Sequence, residues 1–410
     1  MRASNIVFRA ALVLGMVLAG FAAAHADTAS VERGRYLATV GDCAACHTAR
    51  NGTPYAGGRV VGTPFGSIPT PNITFDRATG IGAWTKDEFY LAMHEGVSRD
   101  GTLLYPAFPF TSYTRMTRAD VDAIYDFLAT VPKVSRRNDE PQLGWPYSMR
   151  SLMSAWRLLY FDKGEYVPDP SKSAQWNRGA YLVQGPGHCN DCHTARNSLG
   201  ATVSSPRLAG GLIPVQDWYA PDLSTAKGGG LARFRQQDIV DLLKTGRSAR
   251  GTAFGPMAEV VQMSTQYMSD DDLAAIATYL QSLPPRPAPD QGDDIDASAS
   301  MARGQKIYAD SCADCHGVSG TGVAAVYPPL DANSSVAEPV GVNAIRIVLS
   351  GGFAPVTAGN RRPYSMPPFA QKLSDQEVAD VTTYIRRSWG NNAPPVTVDD
   401  VRKYRSTPTY

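Results

Sequence analysis

The hydrophobic pattern of the chain predicts three similar helices, each opened by a hydroxyl residue. They cover residues 117–128, 269–280 and 374–385. Each begins with Thr or Ser and carries an acidic residue in its first turn, which is typical of a helix N-terminus. Each also has an aromatic residue near its end: Phe127, Tyr279 and Tyr384. The repetition indicates three units of one kind.

A second amphipathic helix is predicted upstream in each unit. The three stretches share an Arg-Gly pair, with the glycine at Gly34, Gly179 and Gly304. Because glycine has no Cβ, it lets another backbone approach closely. We therefore expect each glycine to face the aromatic residue of the later helix and to let the two helices cross in close contact.

The segments that join the units differ in pattern. Over 145–161, Met149, Leu152, Met153, Trp156 and Tyr160 recur at helical spacing. This fits a helix buried between the first two units, or alternatively an apolar surface for a partner subunit or the membrane. The stretch 284–300, rich in Pro and Asp, predicts an extended connector.

The N-terminal residues have the pattern of an export signal. Arg2 and Arg9 flank the start of an apolar run over 10–24, which is too short to span a bilayer comfortably. The following Ala24-His25-Ala26 fits a small-x-small cleavage site. We expect cleavage after Ala26 and an exported, periplasmic protein; an uncleaved N-terminal anchor is the alternative.

Composition narrows the class of protein further. A length of 410 residues suggests two to three domains. The formal net charge of +1 provides no field for non-specific nucleic-acid binding. Six cysteines are too few for a disulfide scaffold of this size.

All six cysteines lie in three Cys-x-x-Cys pairs, each followed directly by His. A thioredoxin-like disulfide would not require the His, structural zinc would need two pairs converging on one metal, and a disulfide within one helical turn is geometrically awkward. In Cys-x-x-Cys-His, by contrast, both thiols can bond one haem and the His can bind its iron. The sequence therefore predicts three covalent haems c, held by Cys43, Cys46 and His47; by Cys189, Cys192 and His193; and by Cys312, Cys315 and His316.

A methionine thioether opposite each His would close the iron for electron transfer. Met366 lies before two prolines in a loop that leads to the last helix, and we expect it to bind the third haem. Met257 follows Gly-Pro in a similar loop and is expected to bind the second, with Met263 and Met268 as alternatives.

The first unit departs from this pattern. Its loop carries Phe108 where a methionine would fit, and Met116 follows eight residues later. Position alone leaves two alternatives open. Met116 folds back to bind the first haem, which is our expectation, or the first iron is open or bound by water.

Longer strings surround the motifs, including Gly-Ser-Ile-Pro-Thr-Pro-Asn-Ile-Thr at 66–74, Thr-Gly-Ile-Gly-Ala-Trp-Thr at 79–85 and Trp-Asn-Arg-Gly-Ala-Tyr-Leu at 176–182. With them, nearly the whole mature chain resembles the three-haem cytochrome c subunit of bacterial membrane-associated dehydrogenases. The resemblance implies haems bound by the motif His and commonly a loop Met. Many relatives have Met where this chain has Phe108.

We expect an all-α fold of three tandem cytochrome c-like domains. The expected divisions are a signal peptide at 1–26, domain 1 at 27–144, an aromatic-rich segment at 145–171, domain 2 at 172–284, a linker at 285–300, domain 3 at 301–390 and a tail at 391–410.

The resemblance implies electron transfer from a catalytic dehydrogenase subunit of the quinoprotein, flavoprotein or molybdenum type. The three haems would pass the electrons to ubiquinone or a terminal oxidase, with peripheral membrane contact and no catalytic residue in this chain. A haem enzyme with an open first haem and a free periplasmic shuttle are the alternatives.

Overall fold

The computed structural model describes residues 28–203, 205, 207–224, 230–285, 296–324 and 326–407. The expected signal peptide and most of the expected linker lie outside these residues.

Helices follow one another in three groups. The first group is α1 (28–40), α2 (Cys43–Cys46), α3 (Lys86–Glu95), α4 (Phe110–Tyr113) and α5 (Arg118–Leu128). After α6 (Leu152–Tyr160), the second group is α7 (Ala174–Gln184), α8 (Asn190–His193), α9 (Gln236–Thr245), α10 (Gly255–Met263) and α11 (Asp270–Gln281), with a 3₁₀ turn at Thr265–Tyr267. The third group is α12 (Ser298–Ser311), α13 (Ala313–His316), α14 (Val342–Ser350), α15 (Asp375–Arg387) and α16 (Val398–Arg405).

Short antiparallel strands accompany the helices, so the prediction of an all-α fold is too narrow. In the described ranges, β1 (Val60–Thr63), β2 (Gly66–Pro69) and β3 (Gln142–Leu143) form one sheet. Two-stranded pairs join β4 (Ala209–Ile213) to β5 (Trp218–Asp222), β6 (Arg247–Ser248) to β7 (Gly251–Thr252), and β8 (Gly352–Phe353) to β9 (Ser365–Met366). With two to five residues each, they are too short to produce a clear alternating hydrophobic pattern.

The first long helix of each group (α1, α7 or α12) crosses α5, α11 or α15, the last helix predicted in its unit, at the glycine expected from the sequence. A Cβ added to Gly34, Gly179 or Gly304 would overlap the carbonyl oxygen of Ala123, Ala275 or Asp380 on the last helix. Each such Cβ would also lie 2.8–3.0 Å from the Cβ of Phe127, Tyr279 or Tyr384. The prediction that glycine faces the aromatic residue is therefore confirmed in all three groups.

An ion pair stabilises each crossing. The arginine before the glycine donates to an aspartate in the first turn or middle of the last helix, and that aspartate is buried. The three pairs are Arg33–Asp120, Arg178–Asp272 and Arg303–Asp380, at 2.5, 2.8 and 2.6 Å. Thr117, Ser269 and Ser374 cap the last helices by accepting from a backbone N–H three residues on, as expected from the sequence.

Domains 1 and 2 contact each other through two reciprocal hydrogen bonds. The Tyr36 hydroxyl of α1 donates to Asp272 of α11 at 2.5 Å, and the Tyr181 hydroxyl of α7 donates to Asp120 of α5. Each tyrosine stands two residues after the glycine of its own crossing. Each domain thus supplies a tyrosine hydroxyl that donates to the aspartate of the other domain's Arg–Asp ion pair.

Domain 3 contacts domain 2 through a different set of residues. Lys306 replaces the tyrosine there, and its aspartate, Asp380, accepts from Ser300 within the same domain at 2.7 Å. Asn343 of α14 instead exchanges two hydrogen bonds with the backbone of Tyr219 in β5, at 2.9 and 2.7 Å. Domain 3 is therefore docked on the β4–β5 hairpin of domain 2.

The segment between domains 1 and 2 forms the predicted helix, α6, which is only partly buried. Trp156 lies against Phe110 of domain 1 and donates through its indole N–H to the carbonyl of Leu199 in domain 2, at 3.0 Å. On the other side, Leu158 is 87% exposed and Leu159 is 67% exposed. The helix thus joins the two domains and also presents apolar side chains at the surface.

The C-terminal residues are packed rather than loose, so the expected tail belongs structurally to domain 3. Val401 of α16 is fully buried in the domain 3 core. Arg405 donates to the carbonyls of Ala370 and Leu373, at 2.7 and 3.0 Å. These contacts hold the segment that leads into α15.

Candidate haem sites

Each Cys-x-x-Cys-His motif forms a single helical turn just after the first long helix of its group. The backbone N–H of the histidine donates to the carbonyl of the first cysteine in all three, at 2.9 Å for His47, 3.0 Å for His193 and 2.9 Å for His316. This hydrogen bond closes one turn from the first cysteine to the histidine. It is the local geometry that allows two thiols to reach one porphyrin edge.

The imidazole of each motif is oriented by a proline carbonyl. The Nδ1 atom lies 2.8 Å from the Pro71 oxygen for His47, 2.8 Å from Pro221 for His193 and 3.0 Å from Pro328 for His316. Because a carbonyl oxygen can only accept, Nδ1 carries the proton and donates. The lone pair is therefore on Nε2, which is the arrangement required for binding a metal through Nε2.

Sequence reasoning missed this use of the prolines. The strings at 71–74 and 221–224 resemble each other, whereas the third unit has no similar string. The structure shows that Pro328 fills the same role, only 12 residues after its histidine instead of 24 or 28. The variable loop length hid the relation, and a proline in the loop after each motif was the available signal.

The pKa values of the motif cysteines and histidines fit haem attachment better than a redox-active pair of thiols. Burial raises the pKa of Cys43 and Cys189 to about 12, so both remain thiols at neutral pH. Redox-active cysteines have lowered pKa values instead. Burial also lowers the pKa of His47, His193 and His316, against the proline hydrogen bond, which keeps the imidazoles neutral and able to bind iron.

The three motifs do not converge on one shared metal site. Among the described residues, no group of three or more His, Cys, Asp or Glu side chains converges as a metal site. All six cysteines are free, and none pairs with another in a disulfide. The alternatives of one shared zinc and of structural disulfides therefore do not match the geometry, while three separate haem attachments do.

The methionines considered as sixth ligands fall into two classes. Met257, near the start of α10, and Met366, in β9, are partly exposed. Met116 is 0% exposed in the domain 1 core, and Met268 is 2% exposed in the domain 2 core. Met263 is 40% exposed at the end of α10.

The first two motifs approach each other across the domain boundary. The pKa of Cys192 is raised to about 11, chiefly by burial and also by the charges of Asp191 and Cys46, while Arg196 lowers it. Arg59 donates to the carbonyl of Ala45, inside the first motif, at 2.8 Å, and forms an ion pair with Glu259 of domain 2. His188, next to Cys189, lies with its Nε2 3.3 Å from the carbonyl oxygen of Gly41, two residues before Cys43, so the residues beside motifs 1 and 2 are in contact.

Three motif turns with oriented, neutral histidines, each following the first of two crossed helices, define a protein built from cytochrome c domains. The cytochrome c family matches residues 31–132, 177–284 and 301–389, and the chain belongs to this family. Its members bind haem c covalently, and the three matched segments each contain one Cys-x-x-Cys-His motif.

Three relatives match nearly the whole chain. The cytochrome c subunit of a quinone-type alcohol dehydrogenase from Gluconobacter oxydans is 39% identical and covers 98% of this chain and 88% of its own length. A gluconate 2-dehydrogenase cytochrome c subunit from Pantoea cypripedii is 38% identical and covers 97% of this chain and 95% of its own length. A fructose dehydrogenase cytochrome subunit from Gluconobacter japonicus is 35% identical, covering 93% and 84%. In the part of the chain that the structure describes, no helix is both long and apolar enough to cross a membrane.

Proposed function

We propose that the chain is the three-haem electron-transfer subunit of a periplasmic dehydrogenase complex. The observation that carries this proposal is the threefold site: three motif turns, each with a histidine oriented by a proline carbonyl. The relatives named as cytochrome subunits of alcohol, gluconate and fructose dehydrogenases support the assignment to such a complex.

Bound haem supplies one-electron chemistry at iron, and the chain supplies its attachment and ligands. The proposed thioether bonds come from Cys43 and Cys46, Cys189 and Cys192, and Cys312 and Cys315. The proposed proximal ligands are His47, His193 and His316. Met257 and Met366 are the proposed sixth ligands of haems 2 and 3, because both are partly exposed and precede the helix that crosses beside their motif, Met257 in α10 before α11 and Met366 in β9 before α15.

We further propose that haems 1 and 2 exchange electrons directly. In this proposal the sulfur atoms of Cys46 and Cys192 become parts of the two haem edges, and the contact between His188, next to Cys189, and Gly41, two residues before Cys43, supports a short separation. The reciprocal tyrosine bonds and the Arg59–Glu259 ion pair hold the two domains in this arrangement. Domain 3, which carries haem 3 in this proposal, contacts domain 2 separately through the hydrogen bonds between Asn343 and the β5 strand.

The donor in this proposal is a catalytic dehydrogenase subunit of the quinoprotein, flavoprotein or molybdenum type. The acceptor is a quinone or a terminal oxidase, both of which are found in membranes. The exposed Leu158 and Leu159 of α6 support a peripheral membrane contact, since exposed large apolar side chains mark interaction sites.

The membrane contact can be tested by flotation with phospholipid vesicles. Replacing Leu158 and Leu159 together with Glu should reduce the fraction of protein that floats. Val318→Glu is the matched control, because Val318 is 83% exposed but lies in domain 3. Equal loss in the control and the double variant would contradict a contact through α6.

The main proposal is tested by haem content and by partner. Intact-mass analysis of the exported protein should show three covalent haems and loss of the N-terminal 26 residues. Cys315→Ala should impair attachment of one haem. The protein should co-purify with a catalytic dehydrogenase subunit, whose substrate then reduces all three haems. Fewer than three haems would contradict the site assignment, and substrate turnover by the isolated chain would favour the haem-enzyme alternative.

A further inference from the structure

The loops that follow the third helix can be compared between domains 1 and 2 by their backbone hydrogen bonds. The N–H of Leu104 donates to the Gly96 carbonyl, and the N–H of Ala253 donates to the Gly246 carbonyl, both at 2.9 Å. Gly96 and Gly246 end α3 and α9 in the same left-handed conformation. Four residues beyond these N–H donors stand Phe108 in domain 1 and Met257 in domain 2. Domain 1 therefore has a phenyl ring where domain 2 has a thioether.

Met116 does not supply the thioether that is missing at Phe108, because Met116 occupies a position in the packed core. It directly precedes the N-cap of α5, as Met268 precedes that of α11 and Leu373 that of α15. The three side chains are 0%, 2% and 7% exposed, respectively. Leu373 has no atom that can bind iron, so this position is used for packing. Other side chains cover Met116 completely and leave none of its surface for a haem face.

The remaining candidate ligands of domain 1, Met93 and His94, are both buried in its interior. Met93 is buried in the domain 1 core. His94 stacks on Tyr90 with 4.8 Å between ring centroids. The residue in its place in α9, two before the helix-ending glycine, is Lys244, and its ammonium group reaches the carbonyl of Met268 at 2.7 Å. His94 likewise packs near the start of α5, because the guanidinium of Arg118, the first residue of that helix, lies over the Tyr90 ring on which His94 stacks.

Phe108 itself lies beside the first motif. Its ring meets the ring of Tyr113 edge-on, with centroids 5.5 Å apart. The Tyr113 hydroxyl donates to the carbonyl of Gly41, two residues before Cys43, at 3.0 Å. Phe108 also packs against the small cluster of Phe110 and Trp156, on which Met153 of α6 packs too.

We propose that haem 1 has no protein ligand opposite His47, and that Phe108 walls an apolar pocket at this iron that admits small neutral diatomic ligands such as carbon monoxide. The proposal rests on the proposed haem attachment at motif 1. A phenyl ring offers neither a donor to the iron nor a hydrogen bond to a bound ligand. The pocket is therefore suited to uncharged molecules that bind ferrous iron, in contrast to haems 2 and 3, which Met257 and Met366 close.

The experiment is carbon monoxide titration of the reduced holoprotein, followed by optical spectroscopy. We expect about one carbon monoxide bound per three haems. The oxidised protein should show the near-infrared methionine-to-iron band with an intensity corresponding to about two haems. The haem count is determined first, so that a missing haem 1, which would contradict the proposed function, is distinguished from a closed haem 1, which would overturn this proposal.

Three variants make the assignment specific. Phe108→Met should abolish carbon monoxide binding and raise the near-infrared band to about three haems. Met116→Leu, which places in domain 1 the residue that domain 3 has at the same position, should leave both signals unchanged. Met153→Leu should also leave them unchanged. The proposal is overturned if the unmodified protein binds no carbon monoxide, or if either leucine variant creates or abolishes the binding.

Discussion

Removing the Tyr181 hydroxyl should weaken the pairing of domains 1 and 2. The hydroxyl donates to Oδ2 of Asp120, while Arg33 donates to Oδ1 of the same buried carboxylate. Hydrogen bonds to charged groups contribute about 1.5–3 kcal/mol, and a buried acceptor that loses its donor incurs a penalty of similar size. We expect Tyr181→Phe to lower the free energy of unfolding of the paired domains by an amount near the upper end of that range.

The hydrogen bond from Tyr36 to Asp272 should stabilise the pairing of the two domains less than the bond from Tyr181 to Asp120. The Tyr36 hydroxyl donates to Oδ2 of Asp272, and Arg178 donates to the same oxygen at 2.8 Å as well as to Oδ1. After Tyr36→Phe, the carboxylate therefore keeps a charged donor on both oxygens. We expect a loss near the lower end, about 1.5 kcal/mol.

The assay is urea unfolding of the holoprotein, followed by far-ultraviolet circular dichroism and by haem absorbance. Tyr267→Phe is the matched control, because Tyr267 is 62% exposed and such surface changes usually lie within about 0.5 kcal/mol. A loss below that value for Tyr181→Phe, or a greater loss for Tyr36→Phe than for Tyr181→Phe, would refute the reasoning.

Two further predictions concern domain 3. Gly304→Ala should lower the thermal midpoint of domain 3, because the new Cβ would overlap the Asp380 carbonyl, although alanine favours helix by about 1 kcal/mol over glycine. Gln305→Ala, at the exposed neighbouring site, is the control and should not lower the midpoint. Equal midpoints for the two variants would contradict the close crossing. Burial opposes ionisation of Asp380, but hydrogen bonds, chiefly from Arg303, hold the pKa of this carboxyl below its usual range. That stabilisation is present above the unfolded pKa of about 3.9 and is lost as pH falls through the lower folded value. The thermal midpoint should therefore fall below about pH 4, and a fall just as steep in Asp380→Asn would exclude this cause.

The local parts of the sites could be read from the sequence because they depend on neighbouring residues. Cysteine spacing and the following histidine define one helical turn, and the hydroxyl residues before α5, α11 and α15 accept from N–H groups three residues on. The glycine and aromatic positions could be paired because both recur with the motif in all three units. The short strands escaped prediction because two to five residues carry too little pattern.

By itself, the amino-acid sequence determined the number of haem motifs, the helices that cross beside each motif and the absence of a methionine at Phe108. Only the tertiary structure decided which proline carbonyl orients each histidine, because loops of different length bring it there. It also decided that Tyr36 reaches Asp272, 236 residues away, and that Met116 is enclosed by the core. The physical reason is the same in each case: these contacts join residues that are distant along the chain, and packing in three dimensions selects the partners.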